Sequence, residues 1–175
     1  CKGAVAEAGI RAGVDLINDI WGLKYDPAMA QVIARYGVPC CLMHNRKDPD
    51  YRMLIPDLCA DLEESLALAD EAGIQREKII LDPGVGVGFG KTYEQNLAVI
   101  HHLEELHCFG LPLLLGTSRK SVIGMTLETP PEERLEGTLV TTVLAVEKGC
   151  MFVRVHDVKE NVRAIRMTRA ILEAE

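Results

Sequence analysis

Five short apolar runs, at residues 14–19, 38–43, 79–82, 113–116 and 152–156, alternate with longer segments whose apolar residues recur every three or four positions. The short runs, bounded by glycine or polar residues, predict strands buried on both faces. The longer segments predict helices at 2–12, 27–36, 55–72, 94–108, 132–148 and 160–174. Leu58, Leu62, Leu66 and Ala69 form one stripe on the longest of them. Start signals agree: Asp26-Pro27 and Thr129-Pro130 each put a cap before a first-turn proline, and Thr92 with Gln95 has the form of a capping box. Gly13, Gly37, Gly73, Gly110 and Gly149 stop helices ahead of the next strand.

Strict alternation of strand and helix with short connections predicts a parallel sheet in an α/β domain spanning residues 1–175. Either an open doubly wound sheet or a (β/α) barrel satisfies the pattern, and the strand ends favour the barrel. Each run ends in polar or glycine residues: Asn18-Asp19, His44 after Met43, Asp82, Gly116 followed by Ser118-Arg119-Lys120, and Arg154 with His156. In a barrel all these ends open on one shared face, whereas an open sheet gathers only those at its switch point. A TIM (β/α)8 barrel takes about 250 residues. The expectation is therefore an incomplete barrel: this chain supplies about the last five βα units and lacks the first three strands. The opening KGAVAEAGIRAG, already helical in pattern, agrees.

Composition narrows the partners. The 175 residues are 48% hydrophobic and 26% charged with a net charge of −7, which disfavours nonspecific binding to nucleic acid or anionic membranes. No apolar run has the length of a membrane span. Cys1, Cys40, Cys41, Cys59, Cys108 and Cys150 show no CxxC spacing and read as reduced thiols of a cytoplasmic protein.

The candidate chemistry centres on IILDPGVGVGFGKT, residues 79–92. Asp82 ends a buried strand where a charge needs a partner, and Gly84, Gly86, Gly88 and Gly90 let backbone approach a ligand closely. A carboxylate accepts two parallel hydrogen bonds, so Asp82 suits an amidine-like edge with two N–H donors, with Asn18 serving the rest of such a heterocycle. The loop is not a phosphate-binding P-loop, because Val85 stands where the first glycine must be; Phe89 or Lys91 likewise breaks GxGxxG. Gly116 with Ser118 and Ser121 around Arg119-Lys120 suggests an anion cradle, and Arg154 and His156, two residues apart on a strand, share a face. Barrels often bind phosphate with the loops after their last two strands, so phosphate or diphosphate binding outweighs a structural pairing of Arg154 with Asp157. His44 reads as a loop histidine satisfied by backbone, and His101, His102 and His107 as surface residues of a helix. Met43 is core or packs under a flat ring. No nucleophile elbow is present.

These same residues carry a family resemblance. Asn18-Asp19, Leu42-Met43-His44, Asp82-Pro83-Gly84, Gly88-Phe89-Gly90-Lys91, Ser118-Arg119-Lys120-Ser121 and Arg154-Val155-His156-Asp157-Val158 resemble, in order and spacing, the motifs of the dihydropteroate synthases. The resemblance spans essentially the whole chain. It implies a TIM barrel that joins p-aminobenzoate to 6-hydroxymethyl-7,8-dihydropterin diphosphate, releases diphosphate, uses Mg²⁺, acts as a cytoplasmic homodimer in folate biosynthesis and is the target of sulfonamides. It also implies roles: Asn18, Asp82 and Lys120 hold the pterin, with Met43 and Gly116 lining its slot. Arg154 and His156 hold the diphosphate, Phe89 and Ser121 border the p-aminobenzoate site, and Asp82, Lys120, Arg154 and His156 form the catalytic set. Any metal ligand is expected in strands ahead of this chain. One departure is the glycine loop, DPGVGVGFGK, which is two residues longer than the usual DPGxGFGK. The other functional readings are a non-catalytic half-barrel and a related pterin-binding methyltransferase barrel.

Overall fold

All five apolar runs form strands in the computed structural model, which describes residues 2–174: β1 (Ile17–Asp19), β2 (Cys40–Met43), β3 (Ile79–Asp82), β4 (Leu114–Leu115) and β5 (Phe152–Val153). The strands are parallel and neighbour one another in chain order. β1, β2 and β3 pair directly, β4 pairs with β5, and a parallel bridge between Leu81 and Leu113 joins the two groups. The order never reverses within this arc, so it holds no switch point of the kind a doubly wound sheet uses for binding.

Register divides the arc into two faces, because partners across a parallel ladder point to the same side. Ile17, Cys40, Leu42, Ile79, Leu81, Leu113 and Leu115 form the outer face and are all buried against helices. The inner face carries Asn18, Cys41, Met43, Ile80, Asp82, Leu114 and Phe152, and continued alternation puts Gly116 and Arg154 there as well. The helices are α1 (Gly3–Arg11), α2 (Pro27–Tyr36), α3 (Leu54–Ala72), α4 (Tyr93–His101), α5 (Ser121–Leu127), α6 (Leu135–Glu147) and α7 (Val158–Leu172). The predicted stripe of α3 is buried, with Leu58, Leu62 and Ala69 fully inaccessible. Asp26 caps α2 through the Ala28 amide at 3.0 Å, and Gly37 ends it at φ +63°. The Thr92–Gln95 capping box forms as expected.

Three departures have local causes. The predicted helix at 94–108 stops at His101, and Leu103–Phe109 follows as tighter 3₁₀ turns; Leu103, Leu106 and Phe109, spaced by three, then bury on one side. The Ser121–Leu127 helix has no side-chain cap and only seven residues, too short for an apolar period to register. Thr129 does not cap: its hydroxyl is buried without a partner, and after a 3₁₀ turn at Pro131–Glu133 the helix begins at Leu135. Cys40, Cys41, Cys59, Cys108 and Cys150 are free thiols, while Cys1 lies outside the described residues.

Candidate active site

The carboxyl ends of the strands bring an acid and several bases to one mouth. Asp82 ends β3 on the inner face, 4% exposed, and one carboxylate oxygen accepts the Gly84 amide at 2.8 Å. Burial pushes its pKa up; the Gly84 bond and the positive charges of Lys120, Arg154 and Lys91 pull it back. Those cations arrive from three chain segments, so the convergence expected of the strand ends is present. Met43, buried, stands beside Asp82 in register, and Asn18, exposed, stands beside Cys41.

Lys120 precedes α5 and donates from Nζ to the Val85 carbonyl at 2.5 Å. The same ammonium sits 5.2 Å from the centroid of the Phe89 ring, a cation–π contact that ties the glycine loop to the β4 loop. Burial lowers its pKa, and Asp82 opposes that shift. Phe89 folds back on its own loop: a Cβ at Gly86 would come 2.8 Å from the ring. Ser121 opens α5, half-buried, beside Lys120.

Gly116 lies under the Arg154 side chain, whose Nε is 3.6 Å from where a Cβ would stand. Arg154 donates its amide to Leu115, and its guanidinium has no hydrogen bond or ion pair among the described residues. The structural pairing weighed for it goes elsewhere: Asp157 binds Arg119 through two parallel bonds of 2.7 and 2.9 Å. The Arg119–Lys120 pair is thus divided, one residue structural and the other facing Asp82. Ser118 accepts the His156 amide at 3.1 Å and lies 2.9 Å from His156 Nδ1. The Ser118 hydroxyl thus holds both the backbone and the ring of His156 in place.

Sequence reasoning missed a buried chain beneath this mouth. His44 is satisfied by side chains rather than backbone: its Nε2 lies 2.8 Å from Asp61 and its Nδ1 2.7 Å from Lys91 Nζ. Arg46 grips the same Asp61 carboxylate; against the opposing effect of burial, the His44 hydrogen bond first and Arg46 next keep it ionised well below the usual carboxylate range. His44 therefore gives its Nε2 proton to Asp61 and accepts from Lys91 at Nδ1. Burial lowers the His44 pKa to about 4 and that of Lys91 to about 7. Nothing local in the sequence signalled this; the partner Asp61 is a loop and part of a helix away.

Two of the four glycines also have a different purpose from the one expected. Gly84, at φ +69°, presses on the His44 carbonyl, and a Cβ on Gly90 would come 2.6 Å from the Arg46 carbonyl. They let the glycine loop pack on the β2 loop rather than on a ligand. Asn96 then secures the loop by accepting the Gly86 amide at 2.7 Å. No group of three or more His, Cys, Asp or Glu side chains gathers among the described residues, so they do not fit as a cage for Mg²⁺. No described helix is long and apolar enough to cross a membrane.

Comparison with known proteins places this geometry. The family profile described as "Pterin binding enzyme" matches residues 1–156. A dihydropteroate synthase of Clostridium beijerinckii is 56% identical over 172 residues, covering 98% of this chain and 63% of the relative. One of Bacillus subtilis is 52% identical, with coverage of 98% and 59%. Among solved structures, the Clostridium difficile dihydropteroate synthase crystallised with pteroic acid superposes with a TM-score of 0.94 at 47% identity, covering 98% of this chain and 65% of that one. The Yersinia pestis dihydropteroate synthase in complex with a sulfonamide drug gives 0.93 at 39% identity, covering 99% and 65%. The chain spans roughly three-fifths of the length of these curated relatives.

Proposed function

The chain belongs to the pterin-binding enzyme family, and from that premise we propose that the protein containing it is a dihydropteroate synthase. In this reading its five strands are the last five of an eight-stranded barrel, as the one-directional order of the arc and the share of each relative covered suggest. The observation that carries the reading is the placement of Asp82 and Arg154 on one inner face, with Lys120 between them in charge and His156 held by Ser118.

The mechanism follows from that arrangement. Asp82 accepts two parallel N–H bonds from the pterin edge, Asn18 serves the remaining ring atoms, and Met43 and Gly116 bound a flat slot. Arg154 and His156 hold the diphosphate. The C–O bond to the pterin methylene breaks with its electron pair leaving on the diphosphate, where the cations receive the charge. Asp82 and Asn18 stabilise the resulting cationic ring. The amine of p-aminobenzoate, bordered by Phe89 and Ser121, then forms the C–N bond and releases a proton to solvent. Mg²⁺ would come with the substrate diphosphate, whose oxygens suit it, and would help neutralise its charge.

The protein is cytoplasmic and homodimeric in this reading. An apolar groove of about 300 Å³ between α4, α5 and α6, lined by Leu97, Ile123, Leu127, Val140 and Leu144, lies apart from the mouth. The test is direct: full-length protein given both substrates and Mg²⁺ forms dihydropteroate, and absence of product removes the reading.

A further inference from the structure

The chain of Lys91, His44, Asp61 and Arg46, buried at its Lys91 and His44 end, ends at Gly84, two residues from Asp82, and touches none of the groups assigned to substrate. Gly84 is pinned at both ends. Its amide donates to Asp82 at 2.8 Å, and its carbonyl accepts from Lys91 Nζ at 3.2 Å. Lys91 is 5% exposed and is held in turn by His44 at 2.7 Å, which is fully buried. The clamp is tight, because Gly84 and Gly90 both lie against the carbonyls of the segment that carries His44 and Arg46.

We propose that Lys91 is a positioning residue for the Asp82 carboxylate: anchored by His44, it fixes Gly84 and so aims the acid, and it supplies positive charge from beneath the pterin slot. This deepens the reading of the same site as a pterin pocket and rests on it for its meaning in catalysis. Lys120 and Arg154 face Asp82 from the mouth, where substrate must also be received; Lys91 faces it from the packed side and stays in place whatever binds. The other ionisable groups around Asp82 are the thiols of Cys41 and Cys150, and those around Lys91 are Asp61, Arg46, Lys120 and His44. An opposite charge close to a buried carboxylate keeps it ionised, which is the state that accepts the pterin edge. Removing that charge must raise the carboxyl pKa further above its usual value.

The experiment titrates Asp82 directly in full-length protein by ¹³C-carboxyl NMR, with Asp82→Asn identifying its signal. In Lys91→Met the Asp82 midpoint is expected to rise by about one pH unit or more. In parallel, calorimetric binding of 6-hydroxymethylpterin is expected to weaken relative to wild type as pH falls below the raised midpoint, approaching about tenfold below both midpoints for a one-unit shift. Should Lys91→Met not fold, Lys91→Gln, which keeps an amide donor but no charge, carries the same measurement with the same expectation. An unchanged or lowered Asp82 midpoint in the folded variant overturns the proposal. If wild type binds no pterin, the functional reading falls, while the Asp82 midpoint still decides the role of Lys91.

Discussion

Arg119 holds Asp157 in a bidentate pair, and this keeps the nearest acid in sequence away from Arg154. The fold thereby leaves one guanidinium uncommitted at the mouth and spends the neighbouring arginine on joining the β4 loop to the start of α7. Fork-to-carboxylate geometry explains why the pair forms where a lysine would do less well. Arg154→Ala is expected to raise KM for the diphosphate substrate at least about tenfold, a larger effect than on binding of a pterin lacking diphosphate, which feels Arg154 only through its charge on Asp82. Arg119→Ala is expected to lower the melting temperature and leave KM almost untouched. Equal effects on KM from the two substitutions would contradict this division.

The neutral, buried His44 makes stability depend on pH. Its folded pKa, about 4, lies below the ordinary 6.5 because burial disfavours the imidazolium. The unfolded chain therefore binds the extra proton first, so this contribution is fully present above about 6.5 and is lost as pH falls toward 4. The urea midpoint is expected to drop between pH 6.5 and 4.5. Part of that drop should vanish in His44→Gln. Asp61, held ionised by His44 and Arg46, loses its own contribution only at lower pH, while Asp82, whose pKa burial raises, gains stability as pH falls and opposes part of the drop.

Glycines within one loop should differ sharply in their tolerance. At Gly84 a methyl group would overlap the His44 carbonyl, and φ is +69°. At Gly88 φ is +94° but nothing lies within 4 Å. Gly88→Ala is expected to cost only the backbone term, about 1–2 kcal/mol. Gly84→Ala is expected to cost considerably more and to disturb Asp82 as well. Chemical denaturation of both variants measures the contrast.

The helix layer offers a control far from the mouth. Leu62 is fully buried on α3, and Leu62→Ala is expected to cost about 2–5 kcal/mol, since lost burial and a residual cavity add. Substrate affinities measured well below the melting transition should hardly move.

The elements legible in the sequence were those with a strong local signal. Strands flanked by glycine, the stripe of α3 and the Asp26 and Thr92 caps all depend on neighbours within a few residues. Convergence of Asp82 and Arg154 was legible too, because the ends of parallel strands in such a fold share a side. Thr129 and the seven-residue α5 were not, since a cap motif or a two-turn helix carries too little periodicity to outweigh tertiary contacts. His44 was misjudged and Lys91 left without a role for a related reason: their bond joins positions 47 residues apart, and nothing local marks either as buried. The extra glycine-loop residues do not prevent Phe89 from meeting Lys120; Val87 and Gly88 are exposed and bulge outward.

Ser118 binds both the amide and the ring of His156 from a position two residues before Lys120. One hydroxyl thus ties the turn that carries Lys120 to the ring of His156, so in the proposed mechanism the group that would hold the heterocycle and the group that would hold the leaving anion share one anchor.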